Sequence, residues 1–237
     1  MAYIGKQPAV AALTASDITD AIITNAKLAQ DIISADTALG AAPADTDELL
    51  VSDAGTLKRM DYSYIKGNPS LLYSAASTTD VGSLDVSSTY ITSTHRWYKI
   101  YLSGKMANDG VSLIARYMID GSAVTDNYAM KTAAFGVYDH QDNSTGQNTI
   151  DLTNQATIGN AANEPFSAVL DFFNPTSTTL TSILHWSVAY ASTGDVFYGD
   201  LGVARRNDGT QAHNGITFYP SGGNFNEYAI AVYGFKV

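Results

Sequence analysis

Hydrophobic and polar residues alternate most regularly in the C-terminal part of the chain. Leu180, Ser182, Leu184, Trp186, Val188 and Tyr190 fall on one side of a period-two pattern, with Thr181, His185 and Ser187 on the other. Phe166, Ala168, Leu170 and Phe172 alternate with Ser167 and Asp171, and with the partly apolar set Val169 and Phe173. Val111, Leu113, Ala115, Tyr117 and Ile119 alternate with Ser112, Arg116 and Asp120, while Trp97–Leu102 is a long aromatic run. Further strands are predicted over 195–204, 215–219 and 228–235. Turn chemistry separates them: Asn108-Asp109-Gly110, Asp120-Gly121, Asn174-Pro175, Asn207-Asp208-Gly209, Asn214-Gly215 and Ser221-Gly222-Gly223-Asn224. Roughly eight strands at this spacing predict an all-β chain whose residues 68–237 form a jelly-roll-like β-sandwich head.

The pattern weakens towards the N-terminus. Residues 1–13 show no amphipathic period, and Gly5 and Pro8 interrupt any element. The pair Tyr3-Ile4 is unusually bulky for a chain end, so Tyr3, Ile4 and Pro8 are candidate contacts of an anchoring peptide; a frayed end is the alternative. Over 14–40, Ile22-Ile23-Thr24 recurs as Ile32-Ile33-Ser34, spaced by Ala, Thr, Ser and Asp. Such a chain buries too little alone to offset its ordering entropy. Packing Ile22, Ile23, Leu28, Ile32 and Ile33 against copies of itself in an extended stalk resolves this; a short helix over 16–30, capped by Ser16, is the alternative. Residues 41–67 read as a hairpin, with Glu48–Val51 and Thr56–Met60 flanking the turn Asp53-Ala54-Gly55. Leu57 and Met60 fall on opposite faces of a regular strand there. Two strands are marginal alone, so Leu49, Val51, Leu57, Met60 and Ile65 are expected to meet other subunits in a small collar.

Composition narrows the function. Lys and Arg number 13 against 23 Asp and Glu, a net charge of −10, which argues against nucleic-acid binding. Fifteen Tyr and 19 Gly fit short strands and polar turns. With no cysteine there are no disulfides or thiolate metal sites, so oligomerisation becomes the expected route to robustness. No signal peptide or membrane-spanning run is read, and production in a cytoplasm without membrane insertion is expected.

Candidate chemistry is thin. Glutamate occurs only at Glu48, Glu164 and Glu227, and nothing in the spacing of Asp171, Asp195, Asp200 and Glu227 selects a glycosidase pair. His95, His140, His185 and His213 lack metal-ligand spacing, no Gly-x-Ser-x-Gly elbow or phosphate cradle is present, and no cofactor is implied. Most aromatics are expected in the core. A polar loop over 139–148, beside Tyr138, presents His140, Asp142 and Asn143 as candidate receptor or glycan contacts.

Several stretches, at both ends of the chain and in its middle, carry a resemblance. PADTDELLVSDAGTLKRMDYSYIKG, with MAYIGKQP and the Ile-Ile-Thr/Ser repeat ahead of it, is similar to the N-terminal arm and linker of tail-fibre-like structural proteins of tailed phages, especially those of marine bacteria and cyanobacteria. GITFYPSGGNFNEYAIAVYGFKV resembles their C-terminal strand pair, and Asp171-Phe172-Phe173-Asn174-Pro175 fits their Asn-Pro turn. The resemblance implies a virion component on the tail or capsid exterior, a homotrimer docked on another virion protein by its N-terminus. Its head would contact a host surface glycan or protein. It implies no enzyme, since no depolymerase motif is matched. A capsid head fibre or decoration protein is the structural alternative, and a polysaccharide-degrading tailspike the third.

Overall fold

A computed structural model describes residues 14, 39–41, 43–44, 46–65, 69–135, 140–153, 157–192, 194, 196–207 and 209–236; for Leu57, His140, Gln141 and Asp142 it describes the backbone alone. Residues 1–13, and with them Tyr3, Ile4 and Pro8, lie outside the described set, as do Ile22, Ile23, Leu28, Ile32, Ile33 and Tyr138. The chain divides into two compact units, Met1–Ile65 and Lys66–Val237.

In the first unit, β1 (Glu48–Asp53) and β2 (Thr56–Asp61) form an antiparallel hairpin. Ala54 and Gly55 close it at φ 48° and 85°. Two successive positive φ angles match the right-handed twist of the strands they join, and glycine supplies the second without strain. The hairpin is as the sequence pattern predicts. Its register places Leu49 opposite Met60 and Val51 opposite Lys58 on one face, with Leu50 opposite Arg59 on the other. Leu57 pairs with Ser52, and its side chain lies outside the described set. A single 3-10 turn, Tyr62–Tyr64, follows.

The second unit is all-β. An eight-stranded antiparallel sheet has the order β3 (Ser70–Ser77), β15 (Phe225–Phe235), β5 (Trp97–Met106), β11 (Phe166–Phe173), β12 (Ile183–Ser192), β13 (Val196–Arg206), β8 (Tyr128–Phe135), β9 (His140–Gln147). A smaller one has the order β10 (Ile150–Asp151), β6 (Leu113–Ile119), β14 (Gly215–Pro220), β4 (Leu84–Val86), with β7 (Ser122–Ala123) on β6. Both sheets contribute to one hydrophobic core, a sandwich-like arrangement. Leu184, Trp186, Val188 and Tyr190 point into it, as their alternation predicts.

Aromatic groups join the sheets. Tyr117 of β6 stacks on Phe172 of β11, with ring centroids 5.0 Å apart, and its hydroxyl donates to the Ala204 carbonyl of β13 at 3.1 Å. The Trp186 indole N–H donates to the Leu152 carbonyl at 3.2 Å. Each polar tip buried with its ring thus has a partner, which removes the cost of burying it. Trp186 also needs Gly202 opposite it on β13, because a Cβ there would lie 2.1 Å from the indole.

Three expectations are corrected. Within the stretch expected as a loop, His140–Gln147 is an edge strand, β9, because the free edge of β8 supplies backbone partners that its polar sequence does not advertise. Leu180 precedes β12 and is exposed, since the connection after β11 runs on to residue 182. The two C-terminal strands do not pair with each other. β14 lies between β6 and β4 and β15 between β3 and β5, so Ser221–Asn224 is an arch between sheets, with Phe225 turned into the core.

Candidate functional site

One face of the eight-stranded sheet packs on the core, and the side chains of the other, open among the described residues, are mostly exposed or half-buried. Its register sets side chains in rows across the strands. Phe235, Trp97, Phe173, Ile183 and Arg205 follow one another along the first row. Tyr233, Lys99, Asp171, His185, Val203, Lys131 and Asn143 form the next. These residues come from seven strands, and the sheet's regular spacing alone brings them together.

The first row is an aromatic ladder. Trp97 stacks on Phe235 with centroids 3.9 Å apart and on Phe173 at 5.6 Å, and Phe173 meets the His185 ring edge-on at 5.2 Å. Asp171 ties the rows together: its carboxylate accepts from the Trp97 indole at 2.8 Å and pairs with Lys99 at 3.0 Å. The lysine also lies over the indole, 5.8 Å from the ring centre. This half of the face is therefore internally satisfied.

In the other half Lys131 and Arg205 have no such carboxylate partner among the described residues. Between β12, β13, β8 and β9 lies a groove of about 550 Å³ with Val203 and Ile183 in its floor and Lys131, His185, Arg205 and Asn143 on its walls. A second depression of about 690 Å³ shares Lys131, His185, Asn143 and Val203 and continues it towards Leu201. Lys131, His185, Arg205 and Asn143 are all exposed. Leu201 and Phe135 lie on the same face, 46% and 52% exposed, which is high for side chains of that size.

The expected contacts distribute as follows. Asn143 lines the groove. His140 and Asp142 belong to β9, and their side chains, like Tyr138 as a whole, lie outside the described residues. The sequence reading missed Lys131, His185 and Arg205. Each stands at a polar position of an alternating strand, and only the pairing of β12, β13 and β8 groups them.

Of the carboxylates considered for sugar chemistry, Asp195 lies outside the described residues, and Asp171 and Asp200 stand on opposite faces of the sheet. Asp171 is on the open face, whereas Asp200, opposite Val188, is buried in the core and accepts from the Tyr190 hydroxyl at 2.8 Å. Burial pushes the Asp200 carboxyl up to about 6; the Tyr190 hydrogen bond pulls against this, and the Asp151 charge adds to it. His213 is buried too, its Nδ1 2.8 Å from the Ser182 hydroxyl, and burial with the nearby Arg206 charge lowers it to about 4. Ser182 and His213 are 1% and 2% exposed, so this pair staples two loops and reaches no solvent. Among the described residues no group of three His, Asp or Glu is placed to hold a metal ion.

No family model, curated protein or solved structure matches this chain.

Proposed function

We propose that this chain is a trimeric phage virion fibre protein, docked on the particle by its N-terminal arm and touching the host surface with its C-terminal unit. The observation that carries the reading is the β1–β2 hairpin. No described side chain of either strand is buried; Leu49 and Leu50 are 40% and 74% exposed, and Tyr64 and Ile65 beyond them 78% and 44%. A two-stranded ribbon with apolar groups on both faces is not stable in water by itself. Its exposed ion pairs, Arg59 with Glu48 at 2.7 Å and Lys58 with Asp53, add little. Contact with the same hairpin in other copies covers Leu49, Val51 and Met60 together, which supports the collar reading.

The resemblance of residues 43–67 to phage fibre linkers supports the biological setting. Attachment then rests on multivalency, since three weak sites held together gain avidity without new contacts. The test is competition for host cells. Purified protein added in excess is expected to block adsorption of the particles that carry it. Undiminished adsorption, with antibody to the chain labelling only the capsid, would move it to the structural class of head fibres and decoration proteins.

A further inference from the structure

The groove on the open face has a charge that the chain as a whole does not. The protein carries a net −10. Yet the groove is lined by Lys131, Arg205 and His185, and none of its described lining residues is a carboxylate. Lys131 and Arg205 make no ion pair among the described residues, in contrast to Lys99 on the same face, which Asp171 neutralises. Arg205 stands opposite Ala129 and Lys131 opposite Val203, so the two cations are diagonal neighbours across β13 and β8. Residues so related are within reach of one ligand. Two cations side by side without a counter-ion repel each other, and an anion between them relieves that repulsion.

We propose that this groove binds an acidic polysaccharide, its carboxylates held by Lys131 and Arg205 and a sugar ring lying on Val203 and Ile183. The chemistry of the walls selects this class. Aliphatic Val203 and Ile183 suit the apolar face of a pyranose, and the amides of Asn143 and Asn207, which line the same groove, suit its hydroxyls. The arginine fork offers paired donors to a carboxylate, which a lysine cannot match in geometry. The groove is open and runs on into its neighbour, as a polymer requires and a small metabolite does not. The inference deepens the host-contact reading above and rests on it for its biology, while the binding itself does not.

The test uses the full chain and oligogalacturonate of defined length, with neutral dextran of the same length as control, measured by calorimetry. Oligogalacturonate is expected to bind, and to weaken about tenfold or more between about 50 and about 500 mM NaCl. The double variant Lys131→Gln/Arg205→Gln should lose about tenfold or more in affinity with an unchanged melting temperature. Lys131→Arg, which keeps the charge and adds a second fork, should retain binding. Val203→Glu, which places an acid in the floor, should abolish it. Equal binding of dextran, no binding of oligogalacturonate at low salt, or full affinity in the double glutamine variant would each overturn the proposal. A trimer that blocks adsorption but ignores oligogalacturonate removes the acidic-glycan inference alone. A monomer that binds it removes the fibre reading alone.

Discussion

Replacing Asp200 by Asn should make the protein more stable at neutral pH and leave it nearly unchanged at pH 4. The carboxyl is 1% exposed, and one of its oxygens, Oδ1, has no hydrogen-bond partner among the described residues. Burial raises it from an ordinary 3.8 to about 6. The folded state therefore holds the proton more tightly than the unfolded state, and stability falls as pH rises from about 4 to about 6. A gap of about two pH units corresponds to about 3 kcal/mol, which is the cost of the buried charge at pH 7 and above. Asparagine keeps an oxygen to accept from Tyr190, so little of that interaction is lost. His213 works in the opposite sense. Its value falls from 6.5 to about 4, so its contribution is present above about pH 6.5 and lost as pH drops through 4. In the native protein the two trends nearly cancel between pH 4 and 6, and a flat stability profile conceals both. The assay is urea unfolding of the native protein and the Asp200→Asn variant at pH 4, 5, 6, 7 and 8, at one protein concentration, since any oligomer couples stability to concentration. The difference between the two proteins should be near zero at pH 4 and reach about 2–3 kcal/mol by pH 7. A difference independent of pH, or a variant less stable at pH 8, would refute the reasoning.

Other substitutions probe packing and assembly. Gly202→Ala should destabilise the C-terminal unit by about 1–3 kcal/mol and shift near-ultraviolet dichroism, because the new Cβ meets the Trp186 ring at 2.1 Å. Trp186→Ala in the same place should cost about 3–5 kcal/mol and leave a cavity, read by denaturant midpoint. Leu49→Asp should weaken self-association in sedimentation while the second unit melts at its usual temperature, since Leu49 belongs to the other compact unit.

Much of the fold was legible because several strands carry one apolar face. In β12 the inward set Leu184, Trp186, Val188 and Tyr190 is uniformly large, so the period shows without help from neighbours. β9 could not be read this way. His140–Gln147 has no apolar alternation, and it is a strand because β8 offers a free edge. β8 itself sends Tyr128, Met130, Thr132 and Ala134 inward, a mixed set whose small and polar members blur the pattern. The hairpin was legible through its turn, as Asp53-Ala54-Gly55 is turn chemistry and Gly55 takes a positive φ without strain, whereas the positive φ of Ala54 has no signal in the sequence. Leu50 of the hairpin and Tyr64 of the turn after it, 74% and 78% exposed, were not among the expected contacts. The groove was illegible for a different reason. Lys131, His185 and Arg205 look like ordinary solvent-side residues of three strands, and their grouping depends on a strand order that periodicity does not encode.

The central proposal is assembly into a trimer through the N-terminal unit, and sedimentation equilibrium of the full chain tests it most directly. At micromolar concentration the account predicts a single species of three times the 25.2 kDa of one chain, with Leu49→Asp dissociating towards one. A native chain that sediments as a monomer across that range, with its hairpin apolar groups still open to solvent, would contradict it.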